Sequence, residues 1–486
     1  MPPLLAVVGA FVVAVVAWRM PGVMAASSAF LGIATAVFPI LWIVVGALWV
    51  HSLAVASGQF DVIRTTLASI TGDRRLQALF IAFAFGAFLE GTAGFGTPVA
   101  ISAAMLVGLG FEARAAAILC LVANSSPVAY AAAGIPVAVA ANVSGLDVVH
   151  LGAIIGRQVS VLSLIVPVWI TVVLCGWKRT WEVLPALLVA GVLMSVTQFL
   201  IANFSGPWTA GILSGIVTLA GLWLFLRVWK PRTVWDFPGR AAVPLQAPKV
   251  GPGAALRAWM PYILMSLMVL LWSIAPVSRL LRIGDLALPW PGLPGVTFSL
   301  PLLSTPGTAI VLAGVISAFF LPNLGPGRAV ASLGRTVLTL RRTILTVCLV
   351  LATAFLMSAS GMSTAVGLAL AATGAFFPLF APLLGWLGVL VTGSDTSSNA
   401  LFGSLQRTTA EKLGLNPALM VAANASGGVA GKMVSPQSIA VATSSAGLEG
   451  QEGPLFRATI GHSFAMVLII GAITLVQAYL LPGLVR

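Results

Sequence analysis

The sequence predicts an all-α polytopic membrane protein of about 12 spans in two repeats with broken helices. Three observations carry that prediction. Of 486 residues, 59% are hydrophobic and 8% charged, and the mean hydropathy is +1.06, far outside soluble composition. The apolar residues form long unbroken runs, as helical spans of about 20 residues require, rather than the short alternating segments of a β-barrel. Gly-rich and polar interruptions recur in both halves, "AFLEGTAGFGTPVAI" (87–101) in the first and "VTGSDTSSNALFG" (391–403) in the second.

The stretch 3–18 has the length of a signal core, but no basic residue precedes it and Arg19 follows it, so it reads as a short first span. Further spans fall at 28–55, 76–110 (interrupted), 114–142 (interrupted), 152–176, 183–203 and 208–228. The second half gives 258–278, 306–322, 336–359, 362–391 (divisible into two), 400–446 (interrupted repeatedly) and 460–484. Between the halves, 229–257 carries Lys230, Arg232, Arg240, Lys249 and Arg257 against Asp236. It reads as a basic cytoplasmic linker joining an N-terminal transmembrane block, 1–228, to a C-terminal one, 258–486. Arg64, Arg74, Arg75, Lys178 and Arg179 face the cytoplasm by the same positive-inside rule, and the 203–208 turn lies outside.

Each interruption carries start signals for a new helix. Thr97-Pro98, Ser126-Pro127, Asn416-Pro417 and Ser435-Pro436 each read as an N-cap followed by proline at the first helical position. Gly91, Gly94 and Gly96 deny a regular helix after Glu90, and Gly393 does so before Asp395. Each half thus holds a carboxylate-bearing break and then an Asn-bearing one: Glu90 and Asn124 in the first, Asp395 and Asn424 in the second. Irregular backbone at membrane depth survives only where it is buried in protein or lines a wet cavity. Paired interruptions of this kind mark the binding site of a transporter.

Glu90 ends the apolar run Leu79 to Leu89 with no basic residue nearer than Arg75. A charge buried there costs about 3 kcal/mol even on a lenient scale, so it is neutral, paired or hydrated, or else lies at the interface. A buried carboxyl favours its neutral form, as a proton carrier must. Asp395 reads either as an N-cap or as a site residue; a capped helix still offers free N–H groups and a positive dipole end to an anion. The glycines of 91–96 match neither a dinucleotide nor a phosphate loop, and close helix packing is the competing reading. Lys432 suits an anionic substrate or Asp395, whereas Arg157 either snorkels or pairs. His462 reads as interfacial, with a weaker proton-relay reading. Arg407 and Glu411, four residues apart, mark 406–412 as a solvated helix end.

Several functions are excluded. The net charge of +13 is scattered at segment ends, against a nucleic-acid partner. Cys120, Cys175 and Cys348 sit in apolar runs without metal or disulfide spacing, so neither a metal nor another cofactor is expected.

Three stretches resemble the L-lactate permease family of bacterial transporters: "FGAFLEGTAGFGTPVAISAAMLVGLGF" (85–111), "TGSDTSSNALFGSLQ" (392–406) and "VAANASGGVAGKMVSPQSIAVA" (421–442). "SGQFDVIR" (57–64) and "NFSGPW" (203–208) echo it more weakly. The resemblance implies proton symport of 2-hydroxymonocarboxylates such as L-lactate, D-lactate and glycolate across the bacterial inner membrane. It also implies two inverted repeats with re-entrant hairpins. Glu90, Asp395, Asn399, Lys432 and Gln437 fall in the matching motifs. The chain departs from the pattern by starting at what would be the family's second span and by placing Ala131, not glycine, after Tyr130.

The expectation is therefore a secondary transporter rather than an enzyme. Thr97, Asn124, Ser394, Thr396, Ser397, Ser398, Asn399, Lys432, Ser435 and Gln437 would bind the carboxylate substrate. Glu90 or Asp395, with His462 a weaker candidate, would take the coupling proton. Sodium coupling, a channel and a two-carboxyl intramembrane hydrolase are the competing classes. The lipid bilayer is the surrounding partner, and the residues leave open whether the protein is a homodimer.

Overall fold

The computed structural model describes residues 2–68, 70–94, 96–237 and 251–485. Residues 238–250 of the linker, with Arg240 and Lys249, lie outside the described residues. In a bilayer the backbone groups of an apolar run can pair only within the run, so these runs fold as helices. Among the described residues, eight helices are long and apolar enough to cross a membrane, or nine counting the pair Ala113–Ala123 and Val128–Ser144, which is bent by 66°. The expectation of about 12 is higher because Leu4–Val16, Thr97–Gly108 and Pro306–Phe320 fall short of the length counted and the interrupted segments are divided at their breaks. Two of those segments fold back on themselves as hairpins.

The first such hairpin runs up through Arg74–Ala78, Leu79–Phe85 and Gly86–Thr92, and back along Thr97–Gly108. Its arms are tied near the middle by Ser102 Oγ donating to the Ile81 carbonyl at 3.0 Å, and at the base by Arg74 Nη1 donating to the Leu109 carbonyl at 2.6 Å. The second pairs Phe377–Thr392 with Asp395–Leu413. Gln406 Nε2 donates to the Ala381 carbonyl at 2.9 Å, and Ser398 Oγ to the Gly385 carbonyl at 3.0 Å.

The helix Val148–Trp181, kinked at Gly176 where φ is 77° and about 42 Å long up to that kink at 1.5 Å per residue, shows that the hairpins enter from opposite faces. Arg75 at the base of the first hairpin donates to the Arg179 carbonyl at its C-terminal end. Arg407 near the base of the second donates to the Ser144 carbonyl, just before its N-terminal end. After each hairpin the order repeats. Ala113–Ala123, a break and Ala131–Ser144 lead to Val148–Trp181. Pro417–Lys432, a break at 433–435 and Pro436–Ala446 lead to Glu452–Leu475. The two repeats are thus inverted relative to one another.

Outside this core, Gly22–Thr35, Trp42–Ala56, Pro252–Ser273, Pro306–Phe320 and Pro326–Ser360 pack on one another. Helices from both halves interleave throughout, as where Asp395–Leu413 lies on Ala131–Ser144. One two-stranded antiparallel hairpin, Asp285–Pro289 with Thr297–Pro301, pairs Asp285 with Pro301 and Ala287 with Ser299. Its turn is pinned by Trp290 Nε1 donating to the Ser27 carbonyl at 3.0 Å.

An ion cluster locks the end of the molecule where the first hairpin has its base. All five N–H donors of the fully buried Arg75 are used. Nε and one Nη2 hydrogen go to Asp73, the other Nη2 hydrogen to the Thr233 carbonyl, and Nη1 to Glu182 and the Arg179 carbonyl. Arg74 Nε pairs with Asp236 at 2.9 Å. The start of the linker is thereby fastened to the base of the first hairpin.

Candidate functional site

The two hairpin tips meet in the interior. At the first tip Gly94 and Gly96 adopt φ of 57° and 89°, a left-handed backbone that glycine takes without strain. Gly96, not Thr97, is the N-cap of the returning helix, and Thr97 is its first residue. Gly91 is not part of the break. It lies within Gly86–Thr92, where an added Cβ would stand 2.6 Å from the Ile212 nitrogen, so its role is helix packing. Glu90 sits in the same turn, 1% exposed.

At the second tip Gly393, with φ of 73°, ends one helix, and the Ser394 side chain accepts from the Ser397 amide to start the next. Ser394, not Asp395, is the cap, because the extended residue sits one position earlier than the sequence suggested. This leaves the Asp395 carboxyl free. Its Oδ2 accepts weakly from Asn399 Nδ2 at 3.4 Å, while Oδ1 has no partner and lies against Gly428.

Lys432 completes the cluster from the C-terminal end of Pro417–Lys432, where a helix dipole favours a cation. Its Nζ donates to the Gly393 carbonyl at 2.6 Å. Glu90, Asp395 and Lys432 line one small cavity with Gly94, Ser394 and Thr396, closed on another side by Ala131, Ala132 and Pro136. Ala132, Ala133 and Gly134 run through φ of 42°, 58° and 78°. A left-handed turn containing two alanines stores about 1–3 kcal/mol per residue, and such strain gathers at functional sites. The turn brings the Pro136 carbonyl to Asn399 Nδ2 at 3.1 Å.

The cavity measures about 30 Å³, roughly a tenth of the smallest ordinary ligand pocket. It has room for a water but not for a hydroxy acid.

Not every predicted site residue reaches this cavity. Ser397 and Ser398 are buried in the capped turn behind Asp395, with Ser398 tied to Gly385. Asn124 is buried with its side chain directed at the Glu90 carboxyl. Ser435 caps Pro436–Ala446 by accepting from the Ser438 amide. Gln437 is exposed, with its side chain against Gly393 at the back of the tip. His462 lies outside the cavity, accepting from Trp169 Nε1 at 3.1 Å. Arg157 donates to Asn203 at 2.9 Å and does not line the cavity.

Two expected breaks are displaced. Ser126-Pro127 starts no helix: Ser126 turns to bond Ser163, a short 3-10 turn follows, and regular helix begins only after the left-handed residues 132–134. Asn424 lies inside the unbroken helix Pro417–Lys432, and the second break of that repeat falls at 433–435. The reason is packing. Asn424 Nδ2 donates to Asn399 Oδ1 at 2.9 Å and its Oδ1 accepts from Gln406 at 3.1 Å, so its side chain is satisfied sideways. Gln406, read above as part of a solvated end, is fully buried, whereas Arg407 and Glu411 form the expected exposed pair at 2.8 Å. The spacing Asp395, Asn399, Gln406 places all three on one helix face, a signal the sequence reading passed over.

Comparison with known proteins agrees with this architecture. Residues 3–290 and 291–481 match the family model described as L-lactate permease. The chain is 44% identical over 508 residues to the glycolate permease GlcA of Escherichia coli K12, covering 97% of this chain and 90% of that one. It is 43% identical over 502 residues to the L-lactate permease of the same strain, covering 98% and 91%. It is 41% identical over 514 residues to the L-lactate permease of Bacillus subtilis 168, again covering 98% and 91%. The solved structure of Neisseria gonorrhoeae MtrF, titled as one of a class of antimetabolite efflux pumps, aligns with TM-score 0.50 at 13% identity over 91% of this chain and 82% of that one, a likeness of fold alone. With opposed hairpins enclosing a polar centre and family matches along nearly its whole length, this multi-pass membrane protein belongs to the L-lactate permease family.

Proposed function

We propose that this permease carries small 2-hydroxymonocarboxylates, lactate and glycolate among them, across the bacterial inner membrane together with a proton. One observation carries the reading: two buried carboxyls, Glu90 and Asp395, each with one unpartnered oxygen, share a small cavity with a single ammonium, Lys432. With all three charged, the centre holds one excess negative charge. A substrate carboxylate would add a second, and burying unbalanced charge is costly. A proton arriving on Glu90 or Asp395 removes that penalty, so anion and proton bind together or not at all. Lys432 and the Ser394-capped helix start supply the positive partners for the anion. Exchange of sides follows from one hairpin parting from the other around the fixed centre.

The test is uptake of labelled L-lactate by proteoliposomes under an inward proton gradient without sodium. Accumulation abolished by a protonophore supports the reading, while accumulation that requires sodium and ignores the protonophore replaces the proton with sodium. Glu90→Gln should abolish accumulation, and a variant that accumulates lactate normally removes Glu90 from coupling.

A further inference from the structure

A row of buried side-chain amides ends at Asp395. Asn399 and Gln406 follow it on one face of Asp395–Leu413, and Asn424 reaches in from Pro417–Lys432. All three amides are fully buried. Gln406 Nε2 donates to the Ala381 carbonyl at 2.9 Å and to Asn424 Oδ1 at 3.1 Å. Asn424 Nδ2 donates to Asn399 Oδ1 at 2.9 Å. Asn399 Nδ2 then gives its two hydrogens to the Pro136 carbonyl at 3.1 Å and to Asp395 Oδ2 at 3.4 Å.

The direction of this ladder is fixed from both ends. An amide side chain can be turned over, exchanging its oxygen and nitrogen, but a backbone carbonyl only accepts. At the far end the Ala381 carbonyl requires the Gln406 nitrogen, so Asn424 meets that nitrogen with its oxygen and turns its own nitrogen to Asn399. At the near end the Pro136 carbonyl requires the Asn399 nitrogen. Both constraints give one arrangement, in which a donor faces Asp395 Oδ2. Turning over a single amide would set like atoms against each other where no water replaces the lost hydrogen bonds.

The two oxygens of Asp395 are therefore unlike. A fixed donor holds one lone pair of Oδ2 and weakens its hold on a proton. Oδ1 has no partner and occupies the space left by the missing side chain of Gly428, where an added Cβ would stand 2.1 Å from it. Burial alone favours a neutral carboxyl, whereas a donated hydrogen bond favours the ionised one. A carrier needs both, since it must release its proton as well as take it.

We propose that Asn399, Asn424 and Gln406 are positioning residues that direct the coupling proton to Asp395 Oδ1 and ease its release. The proposal rests on the proton-coupled reading above. None of the three amides lines the cavity, where the titratable groups facing Asp395 are Glu90 and Lys432. The other helices packed on this tip, Phe377–Thr392 and Ala131–Ser144, carry no titratable side chain. Pro326–Ser360 and Met362–Leu370 reach Asp395–Leu413 farther along, at Ser404 and Thr409.

The test is the pH dependence of net L-lactate uptake by proteoliposomes, with internal and external pH kept equal and a lactate gradient as the driving force. Uptake that needs a protonated carboxyl falls as pH rises and that carboxyl ionises. Asn399→Leu removes the donor from Oδ2, so Asp395 keeps its proton to higher pH. The half-point of the falling limb should move alkaline by about one unit, the equivalent of one hydrogen bond to a charged group. Asn424→Ala frees Asn399 to turn over and should move the half-point the same way by less. A packing role alone lowers the rate and leaves the half-point in place, so an unmoved half-point in folded Asn399→Leu overturns the proposal. Where denaturation in detergent shows that Asn399→Leu does not fold, Asn424→Ala decides by the same criterion. Failure of the coupling itself is read separately, from wild-type uptake that a protonophore does not affect.

Discussion

Gly428→Ala separates the position of Asp395 from its charge. Gly428 faces the second hairpin, and a Cβ there would stand 2.1 Å from Asp395 Oδ1 and 3.0 Å from Val389 Cγ2. Carbon and oxygen rest no closer than about 3.3 Å, so the carboxyl must retreat by about 1.2 Å. Retreat is obstructed, because Asp395 is 3% exposed and its other oxygen is tied to Asn399. Overpacking of this kind costs about 1–3 kcal/mol, and an ångström of misplacement at a working site costs on the order of 100-fold in rate. Initial rates of L-lactate uptake over a range of concentrations give kcat/KM, and thermal denaturation in detergent gives folding. The expected result is a folded protein with kcat/KM reduced between ten- and a hundredfold, within the range those energies allow. Gly453→Ala is the control, since nothing lies within 4 Å of its Cβ position, and it should transport as the parent does. Wild-type kcat/KM in Gly428→Ala would refute the claim that Asp395 works from its present position.

The Arg75 cluster gives two further predictions. Arg75→Met leaves Asp73, 1% exposed, without its buried partner and should lower stability by about 3–5 kcal/mol, read as a lowered denaturation midpoint; a loss under about 1 kcal/mol contradicts the clamp. Hydrogen bonds from Arg75 and then Thr233 hold the Glu182 carboxyl below the ordinary glutamate value. Stability from this group is therefore present above about pH 4.3 and is lost as pH falls through the lowered folded value. Glu182→Gln should be less stable than the parent at neutral pH, and the two should converge in acid; a constant difference across that range would show that ionisation of Glu182 is not the source.

The particular residues divide according to how far their consequences reach along the chain. Glycine at 94, 96 and 393 was legible as the end of a helix because backbone conformation is a local property, and each takes the positive φ that its sequence context implied. Asn416 and Ser435 were legible as caps for the same reason. The caps at Thr97 and Asp395 were misplaced by one residue, since either of two adjacent positions can turn the chain and packing of the tip selects one. Asn424 and Gln406 were misjudged for a different reason. A polar side chain in an apolar run reads as a break or a solvated end unless its partners are known, and those partners, Asn399 and Ala381, are 25 residues distant in each case.

The sequence by itself determined that the chain lives in a bilayer, that it is helical, that its two halves repeat, and that Glu90, Asp395 and Lys432 are charges without a local excuse. Hydropathy, periodicity and helix punctuation act over a few turns, so one chain read in order contains them. Only the tertiary structure decided that the interrupted segments turn back instead of crossing, that the hairpins enter from opposite faces, and that three charges from distant segments share one closed cavity. Each of these depends on which helix lies beside which. That is fixed by close approaches such as Gly385 to the Asn424 carbonyl and Gly427 to the Pro382 carbonyl, where small residues let backbones meet and long-range packing overrides local preference.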